Sequence, residues 1–160
     1  MEATELMGPP GPWEPLDVPE SSDSGDRRGA PAAEELPLAT EWPWDTLHAE
    51  QEAREGSFTE AMRREYRWDE EAFTRLEAAM RAGCEALDGR PTIERWVGEG
   101  FWCWTAVVPE LTEHPRFDSP DAHYLRQCLA RLRDLGSWFF NGTSPYSPDH
   151  VWEPVRPSRP

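Results

Sequence analysis

From residue 57 onward, apolar side chains recur at intervals of three and four, the spacing of a helix with one face turned inward. Phe73, Leu76, Met80, Cys84 and Leu87 form one such stripe. Asp69 precedes it as a helix cap, and Asp88-Gly89 with Pro91 ends it, so the pattern predicts a helix over 70–88. Upstream, Ser-Phe-Thr-Glu at 57–60 has the form of a capping box and predicts a helix over 58–67. Downstream, Ile93, Val97, Phe101, Trp104 and Val108 share one helical row, with Trp96, Gly100, Cys103 and Val107 beside it. Two adjacent rows leave little polar circumference, so a helix over 93–108, capped by Thr92, should be buried on most sides. Pro109 has no amide to bond the carbonyl of Thr105 and should end or kink it. Ser119-Pro120-Asp121 opens the last helix, which runs to about 140, with Leu125, Cys128, Leu129, Leu132, Leu135 and Phe139 inward. Arg126, Arg131, Arg133 and Asp134 lie outside that stripe and read as a solvated face, and Asn141-Gly142 closes the helix.

The rest of the chain lacks this periodicity. Residues 1–40 are rich in Pro, Gly and acidic residues and read as a disordered tail. Residues 41–56 form a Trp-containing connector, in which Asp45 can cap a short helix ended by Gly56. Residues 57–142 form the helical bundle. Residues 143–160 carry five prolines and should cross the bundle irregularly through Tyr146, Val151 and Trp152. The expected fold is therefore all-α, an antiparallel bundle of about four helices with an acidic N-terminal tail and an irregular, Pro-rich C-terminal segment.

Charge narrows the function classes. The net charge of −15 argues against a protein that holds nucleic acid by neutralising phosphates, and against docking on an anionic membrane. Most of the acidity is local: residues 1–56 carry 14 Asp/Glu against 3 Arg, whereas 57–160 carry 17 against 13. No basic-then-apolar leader is visible at the start, and no apolar run reaches the roughly 18 residues a membrane span needs. The three cysteines are odd in number and widely spaced, which suits buried thiols in a reducing cytoplasm better than a disulfide framework.

Candidate chemistry is sparse. Glu110, Glu113, His114 and His123 offer metal-ligand residue types, with Glu110 and His114 four apart. Di-iron bundles instead use a Glu-x-x-His element on each of two helices, and here Pro109 and Pro115 bracket the segment. A small helical metal-binding protein or enzyme on those four residues is thus an alternative reading only. Cys103 has no base beside it, and no phosphate loop, dinucleotide fingerprint or serine elbow occurs, so neither a cofactor nor a catalytic residue is called for.

The aromatic segment Gly-Glu-Gly-Phe-Trp-Cys-Trp-Thr-Ala at 98–106 is more informative. Helical phasing sends Phe101, Cys103 and Trp104 inward. It leaves Trp102 on a face with Gly98 and Arg95, a large amphipathic ring beside a notch, as at binding hot spots. Trp42 and Trp44 in the connector are further docking candidates, or else pack on the bundle itself. The expected function is a non-catalytic cytoplasmic binding protein (an inhibitor, an immunity-type protein or an accessory subunit) acting on another protein, a basic one given the charge, through its aromatic surface and acidic tail. A structural adaptor or cargo-type protein addressed by the tail is the other alternative, and a homodimer through the aromatic face fits the same features.

Overall fold

The computed structural model describes residues 41–157; the tail expected over 1–40 lies outside the described residues. Among the described residues the fold is all-helical, with five helices and no strand, in a bundle close to the expected four. They are α1 (Trp44–Gln51), α2 (Phe58–Glu60, extended by a π-helical turn Ala61–Glu65), α3 (Glu70–Ala86), α4 and α5. Helix α4 begins as Arg95–Trp102, widens into a π turn at Cys103–Val107 and finishes as Val108–Leu111; α5 spans Ala122–Asn141.

Local chemistry sets the boundaries. Asp69 caps α3 by accepting from the Ala72 amide at 2.9 Å. Ser57 caps α2 by accepting from the Glu60 amide at 3.1 Å, while the Glu60 carboxylate accepts from Gly56, one residue before the cap, at 2.9 Å. Three expectations shift. Helix α5 starts at Ala122 with Asp121 as its cap, because the Asp121 carboxylate takes the amides of both His123 and Tyr124 while Ser119 turns to the Pro120 carbonyl. Helix α4 starts at Arg95, so Ile93 precedes it and is exposed rather than inward. Pro109 does not end α4. The π turn carries the Val108 amide to the Cys103 carbonyl and places Pro109 at the start of the last α turn, where its missing amide costs no hydrogen bond.

All five helices contribute to the core. Trp44, Leu47, Phe58, Phe73, Leu76, Met80, Phe101, Trp104, Leu132 and Leu135 are all 2% exposed or less. Two close helix approaches depend on glycine. A Cβ on Gly136 of α5 would lie 2.6 Å from Thr105 Cγ2 of α4, and one on Gly83 of α3 would lie 3.1 Å from Leu47 Cδ1 of α1. Helix α1, the short helix expected within the connector, packs into the bundle.

Polar groups join α1, α2 and α4 inside this core. Glu50 on α1 is 3% exposed. Its carboxylate accepts from the amides of Phe58 and Thr59 and from the Thr59 hydroxyl, each at 2.9 Å. Thr59 Oγ1 in turn accepts from Trp104 Nε1 at 3.1 Å. With the Ser57 cap and the Ala61 amide bonded to the Ser57 carbonyl, all four leading amides of α2 have acceptors. A second buried pair joins α3 to α5: Arg131 Nη1 donates to Glu77 Oε1 at 2.6 Å, the side chains 13% and 10% exposed. Arg131 is thus not on the solvated face that its position outside the stripe implied.

Trp104→Ala should destabilise the fold by about 3–5 kcal/mol, the cost of a buried aromatic. Thr59→Val, which keeps the shape and removes both hydroxyl bonds, should cost about 1–3 kcal/mol, and urea denaturation measures both. Glu50 supplies a pH test. Burial raises its carboxyl above the ordinary 4.5, against the lowering by its three donors. A carboxyl raised by folding holds its proton more tightly in the folded state, so its contribution to stability is full below the unfolded value and declines as pH rises through the folded one. The stability gap between the wild type and Glu50→Gln should therefore narrow from pH 4.5 upward; a gap that widens would show that the donors outweigh burial.

Candidate functional site

The α4–α5 seam positions the aromatic face. Phe101 stacks on Phe139 at 3.9 Å and 9°, and Thr105 lies against Gly136, so the two helices run antiparallel in a fixed register. Trp102 on α4 and Phe140 on α5 each follow a member of that stacked pair by one residue. Both are open to solvent, at 60% and 58%. The exposed residues are those that helical phasing leaves over once Phe101, Trp104, Leu135 and Phe139 have gone inward. The Thr105 hydroxyl bonds back to the Phe101 carbonyl at 2.7 Å, so no polar side chain of that turn competes for the surface beside Trp102.

The other expected site residues fall out as follows. Gly98 lies one turn before Trp102, but its notch is not empty: Ile93 Cδ1 is 3.8 Å from where a Gly98 Cβ would sit. Arg95 is 92% exposed and paired with Glu99 at 3.0 Å, a surface ion pair of small energetic weight. Trp42 is 57% exposed at the entry to α1. Trp44 leaves the docking set. It is 2% exposed, packed on Gly83 of α3 and edge-on to Trp96 at 6.4 Å, because the indole fills the gap that a residue without a side chain opens.

Beside the aromatic face is a cleft of about 280 Å³, walled by Cys84, Leu87, Arg90, Ile93, Trp138 and Phe139 among others. Ile93 belongs to both features, and Phe139 of the cleft touches Phe140 of the face edge-on at 4.9 Å. Phe140 and Ile93 were not singled out from sequence. Their signal was available: Phe140 sits one position past the end of the inward stripe, and Ile93 follows a Pro-Thr pair that delays the helix.

The structure does not bring the four metal-ligand candidates together. Helix α4 stops at Leu111, so Glu110 and His114 do not share a helical face. His114 instead stacks on Tyr66 at 4.0 Å, and its Nδ1 accepts from the Arg116 amide at 3.2 Å. Glu113 is exposed, and His123 lies exposed in the first turn of α5. Among the described residues no three His, Cys, Asp or Glu converge as metal ligands, the three cysteines included. The thiols are poorly suited to nucleophilic work, since burial pushes Cys84 and Cys128 up to about 12 and raises Cys103 as well.

In native protein at pH 8, a thiol reagent should leave Cys84 and Cys128 unmodified and should react with both on unfolding; rapid native labelling of either would show that the α3–α5 contact opens. Among the described residues no helix is long and apolar enough to cross a membrane. Comparison with protein-family models, with curated proteins and with solved structures gives no match to this chain.

Proposed function

We propose that this chain is a non-catalytic protein-binding protein whose docking face is the α4–α5 surface centred on Trp102. The observation that carries this is the exposed indole itself. A tryptophan left 60% open on a well-packed helix forgoes the burial its ring would gain, and a partner that covers it recovers that energy. Phe140 on the facing helix and Ile93 beside the notch widen the apolar surface, and Arg95 and Glu99 supply a polar rim. A buried aromatic centre ringed by polar groups is the common energetic plan of protein interfaces.

The partner is another protein. The net charge of −15 favours a basic one and speaks against direct nucleic-acid binding. Inhibition, immunity-type neutralisation and accessory binding all fit such a face, and three unpaired cysteines fit a cytoplasmic setting. The adaptor reading rests on a tail that lies outside the described residues, and no observation favours it.

Affinity capture with wild type, Trp102→Ala and Trp104→Ala in parallel tests the reading. Trp102→Ala should keep its melting temperature to within about 2 °C, as for a surface change of roughly 0.5 kcal/mol, and should lose partner capture at least about tenfold. Undiminished capture by Trp102→Ala would rule out this face, and equal destabilisation by both variants would show that Trp102 is structural.

A further inference from the structure

The opposite side of α5 carries a second surface, and it is already filled. Residues 143–157 leave Gly142, fold over α5 and run back along the groove between α3 and α5 without regular structure. The segment is fixed by a few specific contacts. The Trp152 ring stacks with Trp138 of α5 at 6.1 Å and 16°. Two guanidiniums lie over that ring, Arg131 at 4.7 Å and Arg81 at 5.5 Å. Arg131, held by the buried Glu77, also donates to the Glu153 carbonyl at 3.3 Å. Val155 packs against the core, and the Tyr146 hydroxyl donates to Asp134 at 2.6 Å.

The groove thus meets four consecutive features of its occupant: an indole contacted by two guanidiniums, a main-chain carbonyl, a proline, and an aliphatic side chain. In sequence these are Trp152-Glu153-Pro154-Val155. The same tetrapeptide pattern occurs once more in the chain, as Trp13-Glu14-Pro15-Leu16. Room for exchange exists, because open spaces of about 790 and 440 Å³ flank residues 153–157 along the groove. Proline-fixed, extended ligands bind with little conformational entropy to lose, as in other proline-motif recognition.

We infer that the α3–α5 groove is a receptor for a Trp-Glu-Pro-aliphatic segment, that the C-terminal segment occupies it as a built-in pseudo-ligand, and that Trp13–Leu16 of a second copy of the chain is the exchange ligand. The two motifs are not equal. Four residues after the tryptophan, the C-terminal segment has Arg156, which lines a space shared with Glu70 and Glu71. The N-terminal motif has Asp17 at that position. Like charge at Glu70 and Glu71 makes it the weaker ligand, so the resident segment prevails until it is released.

The test uses the full chain and a synthetic nonapeptide of residues 11–19, titrated by calorimetry. The receptor is the double variant Trp13→Ala/Trp152→Ala, in which neither native indole competes; if it does not melt cooperatively, Trp152→Leu replaces Trp152→Ala. The peptide should bind the double variant at least about tenfold more tightly than the wild type, whose groove is occupied. An Asp17→Arg peptide should bind more tightly still, and a Trp13→Ala peptide should not bind. Absent binding to the opened groove, or binding indifferent to the peptide tryptophan, overturns the receptor assignment. Trp152→Ala alone should self-associate in sedimentation at micromolar concentration and lose that with Trp13→Ala added; a monomer throughout overturns exchange between copies. Neither result depends on Trp102, so this inference and the docking face fail separately.

Discussion

The bundle depends on one buried carboxylate. Glu50 ends the inward row of α1 and is placed where α2 begins, so a negative group meets the amides of Phe58 and Thr59 at the positive end of the next helix. Burying a carboxylate is costly unless its acceptor capacity is used, and here three donors use it. The Thr59 hydroxyl extends the arrangement by giving its proton to Glu50 and receiving that of the Trp104 indole. Two consecutive helices and the distant α4 are thereby fixed by one chain of hydrogen bonds. Trp104 is oriented by that chain, and its neighbours two and three positions away inherit their facing. Trp102 is at the surface because Trp104 is not.

Helix α5 separates two surfaces of different character. Its Gly136 and Phe139 side meets α4 and carries the aromatic face at Phe140, while Arg131 and Trp138 belong to the side under the C-terminal segment. The first surface is exposed and apolar. The second is covered and holds its cover by cation–π and stacking contacts rather than by a continuous apolar seam. Its largest side chain, Trp152, is only partly buried, so the cover is specific without being sealed. Covering of that kind is compatible with the proposed exchange.

Much of this was legible in the sequence, for identifiable reasons. The stripe from Phe73 to Leu87 and the Asp69 cap mark α3 because period and cap chemistry agree there. Trp102 emerges from phasing alone, since its exposure follows from the rows on either side. Pro109 misleads because a π turn is a property of the packed helix, and residue types do not announce it. Arg131 misleads in a different way. Charged residues outside an apolar stripe normally face water, and only a tertiary partner, Glu77, makes its burial tolerable. Ile93 was placed inward because Thr92 resembles a cap, whereas the helix begins after Glu94.

Trp138 lies between the covered groove and the cleft that adjoins the aromatic face. Trp138 forms part of the wall of the cleft beside Ile93 and Phe139, and it also supplies the platform on which Trp152 stacks. A ligand that replaces Trp152 must therefore either restack on Trp138 or leave that indole without a neighbour on one side. In the first case the cleft wall is preserved and the surfaces act independently. In the second, Trp138 is free to change rotamer, and the cleft adjoining the Trp102 face changes shape with it. Coupling between the surfaces then equals the difference in free energy that Trp138 experiences between the two occupants, and by linkage it acts equally in both directions. The two copies of the tetrapeptide pattern share tryptophan, glutamate and proline, and it is the tryptophan that stacks on Trp138. Under the proposed exchange a ligand that carries the tryptophan can restore that stack, and one without it cannot.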